Sequence, residues 1–384
     1  MKIAVVKAGG SVLASPSDYL KLAKSLKQLA GKGYSIVLVV SAMKGFTDWL
    51  LKAGEQAASG NPDPILLDDL LSMGERLSAR LMSLALKSVG LEVIVLDPLD
   101  DAWPIITDQT HGKAKPLLDD IREKVDSKFK ELLVEGRVVI VPGFIGLSKE
   151  SRRVTTLGRN SSDITAALLA SCLGADILVY LKDTGGLLRL PPELRRNEVV
   201  GVISARALKI LARHGVRVIH PEALDYLKPP LKVVLSSVEG LPELKGTEVL
   251  LSNTPSPTVS KGLNLLTFVG ARNIEHLLAL LISEFQREKG RVVDILTREG
   301  SLSLLIKGSI PVPLIESCIK KGLADAAHIE EGVALIRAPA ELLDPKRVCD
   351  LRRRSGVYEV ILLEDEIRLV VARDKVDEIL ENCL

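Results

Sequence analysis

Short runs of β-branched and aliphatic residues alternate with stretches of helical periodicity over the first 250 residues of this 384-residue chain. Strands are predicted at residues 3–7, 36–40, 93–96, 137–141, 177–181, 216–219 and 232–235. Helices are predicted at residues 19–29 and 66–86. Such alternation is typical of a mainly parallel sheet covered by helices. The pattern therefore predicts an α/β fold, a three-layer αβα sandwich, for residues 1–250.

The pattern changes in a segment rich in proline, serine and threonine, which predicts a linker at residues 251–260. The following residues, 261–384, read as strand, helix, strand, strand, helix, and then as a weaker copy of the same order. The first copy spans about residues 261–328 and the second about 329–384, with its first helix predicted at residues 345–354. Two such units indicate an internal duplication.

Composition and charge exclude several classes of protein. Hydrophobic residues make up 47% and charged residues 26% of the chain, and 51 basic residues face 49 acidic ones. A net charge of +2 provides no field that would attract nucleic acid or a membrane surface. The longest apolar run, residues 34–43, is about half as long as a membrane span, and no export signal is visible. The four cysteines show neither a pairing rhythm nor metal-ligand spacing, so we expect a cytoplasmic protein without a protein-bound metal site.

The first candidate for chemistry is the string Lys-Ala-Gly-Gly-Ser at residues 7–11, where a lysine stands at the end of a predicted inner strand. Backbone amides in a glycine turn can approach phosphate oxygens closely. A glycine pair after a strand is also a common structural turn. Lys7 is the informative residue, because the carboxyl edge of a parallel sheet is where ligands of α/β folds bind.

Two further strings combine small, hydroxylated and acidic residues. Ser-Ala-Met-Lys-Gly-Phe-Thr-Asp at residues 41–48 follows a predicted strand, and it also fits a helix capped by Thr47 or Asp48. Ser-Met-Gly-Glu-Arg-Leu-Ser-Ala at residues 72–79 has helical periodicity. Gly74 inside a helix costs about 1 kcal/mol, which indicates a close approach there. Glu75, beside it, could bind an ammonium group.

The most specific string is Thr-Thr-Leu-Gly-Arg-Asn-Ser-Ser-Asp at residues 155–163, at the start of an alanine-rich helix. The helix amides and Arg159 could bracket an anion. An ordinary capped helix would account for Ser162 and Asp163, but not for the whole string.

These four strings, in this order, resemble the aspartate kinase family within the amino acid kinase superfamily. The strings at residues 72–79 and 155–159 are specific to that family, whereas the Lys-x-Gly-Gly-Ser opening is shared by many amino acid kinases. Residues 141–146, 218–221 and 245–247 match as well. The resemblance implies an amino acid kinase fold, followed by two βαββαβ, ferredoxin-like ACT domains.

The resemblance also implies roles for individual residues. Lys7 would stabilise the transferring phosphoryl group, and Asp163 would organise that lysine and the nucleotide phosphates. The residues implied for ATP binding are Lys7, Gly9, Gly10, Ser11, Lys182, Asp183 and Arg217. Those implied for the aspartate pocket are Ser41, Thr47, Glu75, Arg159 and Ser162, with Glu75 taking the ammonium group and Arg159 a carboxylate.

The implied reaction is ATP-dependent phosphorylation of the side-chain carboxylate of L-aspartate, the first step of aspartate-family amino acid biosynthesis, with Mg²⁺ as the second cofactor. A carboxylate is already deprotonated at neutral pH, so no general base is needed. Cations must offset the repulsion between the acceptor and the triphosphate while both are held in line.

The chain departs from the family pattern at four places. Ala8 stands where a phenylalanine is usual, Ser11-Val12 where Thr-Ser is usual, and Arg217 where a lysine is usual. The turn from Asp183 lacks a second acid and an aromatic residue. Two other functions therefore stay open: an amino acid kinase with another acceptor, such as acetylglutamate, and a non-catalytic sensor of nucleotides or amino acids. From the resemblance we further expect lysine or threonine as an effector of the ACT-like region, and a homodimer or higher homo-oligomer.

Overall fold

The computed structural model divides the chain into two compact units, Met1–Asn253 and Thr254–Leu384. It describes residues 2–190, 198–216, 218–251, 257–287, 290–298, 300–339, 351, 354–363 and 366–383. Residues 252–256 of the predicted linker and most of the helix predicted at residues 345–354 lie outside this part of the chain.

The first unit contains six α-helices and eleven strands within its described residues. The helices are α1 Pro16–Ala30, α2 Phe46–Ala57, α3 Pro64–Ser88, α4 Leu118–Lys124, α5 Ser162–Leu173 and α6 Ala205–Arg213. The strands are β1 Lys2–Ala8, β2 Tyr34–Val40, β3 Glu92–Val95, β4 Ile106–Thr107, β5 Arg137–Pro142, β6 Ile145–Ser148, β7 Val154–Thr156, β8 Ile177–Leu181, β9 Val202–Ser204, β10 Lys232–Ser236 and β11 Thr247–Leu250.

Eight of these strands form one sheet in the order β3-β5-β2-β1-β8-β10-β11-β9, and only the β10–β11 pair is antiparallel. Because the central strands β5, β2, β1, β8 and β10 are apolar and buried on both faces, each face needs a covering layer. One core packs Leu22 and Leu26 of α1 and Met82 of α3 against the sheet, and the other packs α5 residues such as Leu169. The predicted three-layer sandwich is confirmed.

A small second sheet, in the order β4-β6-β7, lies in the same unit. It was not predicted, since strands of two to four residues carry too little periodicity to be recognised. Its last strand, β7, leads directly into the loop that contains Arg159. The strand predicted at residues 216–219 is wrong for its described residues, which form bends and irregular chain.

The second unit has a six-stranded antiparallel sheet in the order β13-β14-β12-β15-β17-β16. Its strands are β12 Thr258–Val269, β13 Arg291–Arg298, β14 Ser301–Lys307, β15 Ala326–Pro339, β16 Val357–Leu362 and β17 Glu366–Ala372. Its described helices are α7 Ile274–Arg287, α8 Val312–Lys320 and α9 Val376–Cys383. Each half contributes three strands in the same relative order, as expected for the predicted duplication.

The two halves of this unit share their longest strands. Residues 258–260 of β12 pair with 335–337 of β15, while residues 265–269 pair with 326–330, so each long strand serves both halves. The two strands contain Gly262 and Gly332, each with a φ of 70°. Glycine adopts this left-handed conformation without a steric cost, which permits a bend inside a strand.

The sheet folds over on itself. Asp294 of β13 lies 2.9 Å from Arg368 of β17, although three strands separate them in the sheet order. In a flat sheet that separation would be about 19 Å. Leucine and valine side chains, including Leu265 and Leu335, form a core between the facing halves. Each half thus has one face toward its helices and one face toward the other half.

Candidate active site

Three neighbouring parallel strands end side by side at one edge of the large sheet. Ala8 of β1 is in register with Val40 of β2 and with Leu181 of β8. Chain connections leave β1 for β2 on one side, whereas β8 lies on the other side, so a crevice opens beyond their carboxyl ends. Lys7, Ser41 and Lys182 stand at this edge.

One cleft at this edge gathers most of the residues that the sequence singled out. The predicted site residues that line it are Lys7, Gly10, Ser11, Ser41, Thr47, Glu75, Arg159, Ser162, Asp163 and Lys182. They come from β1, α2, α3, α5 and the segments that follow β1, β2, β7 and β8. Residues scattered over 176 positions of sequence, from 7 to 182, therefore meet in one place.

A buried ion pair occupies the floor of the cleft. Lys7 Nζ lies 2.8 Å from Asp163 Oδ1, and both side chains are at most a tenth exposed. Asp163 Oδ2 accepts a hydrogen bond of 2.9 Å from the backbone N–H of His220. Burial opposes the ionisation of Asp163, but Lys7 and Lys182 outweigh it and hold the pKa of Asp163 below its ordinary value. The carboxylate is therefore charged and fixes the position of the Lys7 ammonium group.

Lys182 is the second lysine on this floor. Burial, opposed in part by the charge of Asp163, holds the pKa of Lys182 below its ordinary value.

Asp183 is exposed and does not line the cleft, so the structure does not bring it to the site. The turn beyond it packs tightly, since a Cβ on Gly186 would lie 2.7 Å from Thr247 Oγ1. Residues 245–247, which resemble the family, therefore pack against this turn through Thr247.

The glycine pair after β1 packs closely against the cleft. A Cβ on Gly9 would lie 2.9 Å from Lys7 Nζ, and a Cβ on Gly10 would lie 3.1 Å from the carbonyl oxygen of Ala42. Helix α1 begins only at Pro16, so its amides do not adjoin the glycine turn. The cations around this turn, Lys7, Lys182 and Lys44, suit a polyphosphate.

Glu75 projects from the middle of α3 into the same cleft and is only 3% exposed. Its Oε1 accepts a hydrogen bond of 3.1 Å from the backbone N–H of Ala42. Its Oε2 is buried and has no hydrogen-bond partner among the described residues. Burial raises the pKa of Glu75 to about 7. Gly74 permits this arrangement, because a Cβ there would lie 2.9 Å from the Cβ of Ala42.

The mouth of the cleft carries a second, exposed ion pair. Arg159 binds Asp48, and the two side chains are 67% and 61% exposed. Asp48 follows the start of α2, whose N-cap is Gly45 with a φ of 79°. The alternative that Thr47 or Asp48 caps this helix is therefore wrong, and both side chains are free to face the cleft.

Three titratable residues of the cleft were not recognised from the sequence as site residues. Lys44, Asp48 and His220 line it. Lys44 has no carboxylate partner in the described part of the chain. No local pattern signalled Lys44, because its position beside the turn of Gly10 appears only in the folded chain. Arg217, predicted to contact phosphate, lies outside the described residues.

A buried carboxylate, Asp68, fixes the loop that carries Arg159. Asp68 lies two helical turns before Glu75 on α3, and its Oδ1 accepts a hydrogen bond of 2.6 Å from Thr156 Oγ1. His111 Nδ1 lies 2.8 Å from Asp68 Oδ2. One face of α3 therefore holds the end of β7 through Asp68 and the segment after β2 through Glu75.

Neither a preformed metal cluster nor a membrane helix was found in the part of the chain that the structure describes. No three His, Cys, Asp or Glu side chains there are grouped so that they could hold a metal ion. None of the helices there is both long and apolar enough to cross a bilayer.

Comparison with known families agrees with the fold. Residues 2–235 match the amino acid kinase family, the class of proteins that this sheet and cleft define. Aspartokinase III of E. coli, solved in complex with aspartate and ADP, superposes with a TM-score of 0.59 at 22% identity, over 99% of this chain and 98% of that chain. At this identity the likeness concerns the fold.

Sequence relatives narrow the class. The aspartokinase of Corynebacterium glutamicum is 34% identical over 376 residues, which are 96% of this chain and 82% of that protein. The aspartokinase of Mycobacterium tuberculosis strain H37Rv is 34% identical over 229 residues, which are 59% of this chain and 52% of that protein, so the match spans about half the length of that relative. The chain therefore belongs to the amino acid kinase family, in its aspartokinase branch.

Proposed function

We propose that this chain transfers the γ-phosphoryl group of ATP to the side-chain carboxylate of L-aspartate, giving 4-phospho-L-aspartate and ADP. The observation that carries this proposal is Glu75, whose buried Oε2 has no partner among the described residues and which shares a cleft with the Lys7–Asp163 pair. A buried carboxylate needs a cation beside it. The α-ammonium group of a free amino acid is such a cation, and acetylglutamate lacks it.

The remaining contacts follow from charge. Lys7 and Lys182 share one carboxylate, Asp163, which leaves one net positive charge on the floor of the cleft. This charge, with the turn of Gly9, Gly10 and Ser11, supports a role in binding the phosphates and in stabilising the transferring group. The nucleophile is ionised at neutral pH, so the side chains need only position it and screen it.

The acceptor would lie between Glu75 and Arg159. Glu75 would take the ammonium group, Arg159 would exchange Asp48 for the α-carboxylate, and Ser41, Thr47 and Ser162 would supply hydrogen bonds. The side-chain carboxylate of aspartate would then point toward Lys7. With its ammonium group at buried Glu75 and its α-carboxylate at Arg159 by the mouth, the amino acid would be held at two points, which supports selection by position as well as by charge.

Magnesium fits the site as a companion of the nucleotide. Mg²⁺ commonly binds through substrate phosphates and water with only one or two carboxylates, and the described residues form no three-ligand cluster of their own. When bound, the ion would neutralise part of the triphosphate charge. Among the described residues of the cleft, Asp163 would be the carboxylate to contact the bound ion.

The proposal extends to the whole chain. We infer that the first unit is catalytic and the second regulatory, with lysine or threonine as the effector, in a cytoplasmic homo-oligomer. The duplicated architecture of the second unit supports a role apart from the chemistry, because it contains its own cores and its own sheet.

The test is an incubation with MgATP, L-aspartate and hydroxylamine, which converts an acyl phosphate into a coloured hydroxamate. We expect aspartate-dependent hydroxamate that Lys7→Met abolishes, with Lys52→Met, an exposed lysine of α2 outside the cleft, as the matched control. Turnover with acetylglutamate but not with aspartate would show that acetylglutamate is the acceptor. ATP binding without turnover of any acceptor would favour the sensor.

A further inference from the structure

Helix α3 contains a second buried carboxylate, Asp68, which the proposed chemistry does not use. Asp68 is 2% exposed, and it lies seven residues before Glu75, which is about 10 Å along the helix. For stability alone, a buried charge is often no better than an apolar side chain of similar size. A carboxylate at this depth, surrounded by hydrogen-bond donors, therefore points to a need for one defined geometry.

Four hydrogen-bond donors from two separate segments converge on Asp68. The hydroxyl and the backbone N–H of Thr156, at the end of β7, lie 2.6 Å and 3.3 Å from its oxygens. The backbone N–H of Gly112 lies 3.1 Å from Oδ2, and Nδ1 of His111 lies 2.8 Å from the same oxygen. Because an ionised carboxylate only accepts hydrogen bonds, Nδ1 of His111 carries the proton. Asp68 thus joins the end of β7 to the turn at residues 111–112.

Only two residues, Leu157 and Gly158, separate Thr156 from Arg159, and both are fixed at their backbone. The N–H of Leu157 donates a hydrogen bond of 2.9 Å to the carbonyl oxygen of Phe144. The carbonyl oxygen of Gly158 accepts one of 2.6 Å from the hydroxyl of the α5 N-cap residue. A Cβ on Gly158 would also lie 3.8 Å from the carbonyl oxygen of residue 112, so the turn that holds Asp68 lies against this loop. A segment this short transmits the position of Thr156 to the backbone of Arg159.

The side chain of Arg159 has little support of its own. It is 67% exposed, and within the described residues its ion-pair partner is Asp48, which is exposed as well. The location of its guanidinium relative to Glu75 therefore depends on where its loop is anchored. Since Asp68 and Glu75 belong to the same helix, one rigid element fixes both ends of the acceptor pocket.

We propose that Asp68 and His111 are positioning residues for Arg159. Through Thr156 they hold the arginine at a set distance from Glu75, and so they determine how tightly the acceptor binds. The statement about acceptor binding rests on the proposed function, whereas the statement about the loop does not. The effect is large enough to measure, because a displacement of about 1 Å in a positioned group can cost about a hundredfold in rate.

Thr156→Val tests the link between Asp68 and the loop, since valine keeps the shape of threonine and removes the hydroxyl. We expect the KM for aspartate to rise about five- to tenfold while the KM for MgATP stays within about twofold, because one hydrogen bond to a charged group is lost. Thr156→Ser, which keeps the hydroxyl, should restore the KM for aspartate. Thr107→Val is the matched control, since its buried hydroxyl bonds to Thr155 and not to Asp68, and it should leave both KM values unchanged. Equal rises of both KM values in Thr156→Val would overturn the proposal.

His111→Leu and His111→Asn form a second pair of variants. Asparagine can place an N–H donor near the position of Nδ1, whereas leucine offers no donor to Asp68. The KM for aspartate should rise about three- to tenfold in His111→Leu and stay within about twofold of the unmodified chain in His111→Asn. The same KM in both variants would exclude His111 as a positioning residue.

A double variant separates positioning from a general loss of stability. In an Arg159→Met background the network has no arginine to place, so the addition of Thr156→Val should change kcat/KM for aspartate by less than about twofold. A further loss as large as the one that Thr156→Val causes in the unmodified chain would contradict an action through Arg159.

Amide hydrogen exchange of the full chain tests the loop without any substrate. In Thr156→Val, exchange in peptides that span residues 157–160 should be about tenfold faster, whereas α5 and β8 keep their protection. Unchanged exchange at residues 157–160 would overturn the proposal. Faster exchange there, combined with an unmodified chain that forms no aspartate-dependent hydroxamate, would support the positioning of Arg159 and show that the proposed acceptor is wrong.

Discussion

Glu75 and Asp163 are buried carboxylates of one cleft whose pKa values shift in opposite directions. Both are desolvated, but Asp163 lies between Lys7 and Lys182, whereas only backbone N–H groups and the charge of Lys7 offset the burial of Glu75. The pKa of Asp163 is therefore lowered, and that of Glu75 rises to about 7. Opposite shifts in neighbouring groups are typical of functional sites. Here they leave one carboxylate committed to a lysine and one available to a substrate cation.

The affinity for L-aspartate should depend on pH through Glu75. An ammonium group favours the ionised carboxylate, so aspartate lowers the pKa of Glu75 from about 7, and binding below that pH releases a proton. We expect the KM for aspartate to fall as the pH rises from 5.5 to 7 and then to level off, whereas the KM for MgATP stays flat. Glu75→Gln should raise the KM for aspartate and remove this dependence. A wild-type KM for aspartate that is constant from pH 5.5 to 8 would contradict the assignment.

The same residue should lower stability when the site is empty. The pKa of Glu75 in the folded chain, about 7, lies above its ordinary value of 4.5. The stabilising effect of its protonated form is therefore fully present below pH 4.5 and is lost as the pH rises through 7. The free energy of unfolding of Glu75→Gln, relative to that of the unmodified chain, is therefore expected to be about 1 to 3 kcal/mol higher at pH 8 than at pH 4.5. Urea titrations of both proteins at the two pH values measure this difference.

Asp48 should compete with the substrate for Arg159. The pair is exposed, and such pairs contribute about 0.2 to 1 kcal/mol, which corresponds to at most about a fivefold change in affinity. Asp48→Asn should therefore lower the KM for aspartate by up to about fivefold with little change in kcat. Glu55→Gln, an exposed carboxylate on the same helix, is the control. A raised KM in Asp48→Asn would show instead that Asp48 assists binding.

At the scale of elements, α3 connects the parts of the cleft. Its inner face holds the segment after β2 through Glu75 and the end of β7 through Asp68, which are otherwise far apart in the chain. Gly74 sets the distance between the helix and the first of these segments. Small errors in this packing would be transmitted directly to the acceptor pocket.

Gly74→Ala and Gly54→Ala form a matched test of that packing. Alanine gains about 1 kcal/mol of helix propensity at either position. At Gly74 the new Cβ would lie 2.9 Å from the Cβ of Ala42, whereas at Gly54 it meets Leu70 Cδ2, the end of a side chain that can move. We expect Gly74→Ala to destabilise the fold by about 1 to 3 kcal/mol and to reduce kcat/KM for aspartate. Gly54→Ala should change the stability by no more than about 1 kcal/mol and leave kcat/KM for aspartate near that of the unmodified chain. Equal effects in the two variants would show that the close contact between Gly74 and Ala42 is not needed.

At the scale of the whole molecule, two units with separate cores occupy one chain. In the second unit, facing halves of a folded sheet bury an ion cluster. Arg368 lies 2.9 Å from Asp294 and 2.6 Å from Glu366, and both carboxylates are at most a tenth exposed. Buried charges are stable only when each has an oppositely charged partner.

Arg368→Met should therefore destabilise the second unit selectively. Removal of one partner from a buried ion cluster costs about 3 to 5 kcal/mol. Amide hydrogen exchange should accelerate in β13, β15 and β17, whereas β1, β2 and β8 keep their protection. Arg272→Met, which removes an exposed pair with Asp325, is the control and should leave both units unchanged. Uniform acceleration across both units would contradict the separate cores.

The sequence specified the long apolar elements and several polar strings, because these are local properties. The alternation of β1, α1, β2 and α3 predicted the parallel sandwich, and the repeat of strands and helices predicted the duplication. Lys7, Glu75 and Arg159 were recognisable because strings around them resemble a family. Their roles remain predictions of the sequence, although one cleft contains all three.

The tertiary structure decided what depends on contacts between distant segments. The unpaired Oε2 of Glu75, the placement of Lys44 and Asp48 in the cleft, and the exclusion of Asp183 from it could not be derived from local patterns. The same holds for the exposed leucines of α3, such as Leu66 and Leu84, since periodicity identifies an apolar face but not which neighbour covers it. Local sequence determines conformation and amphipathicity, whereas burial, pKa values and pairing are properties of the packed chain.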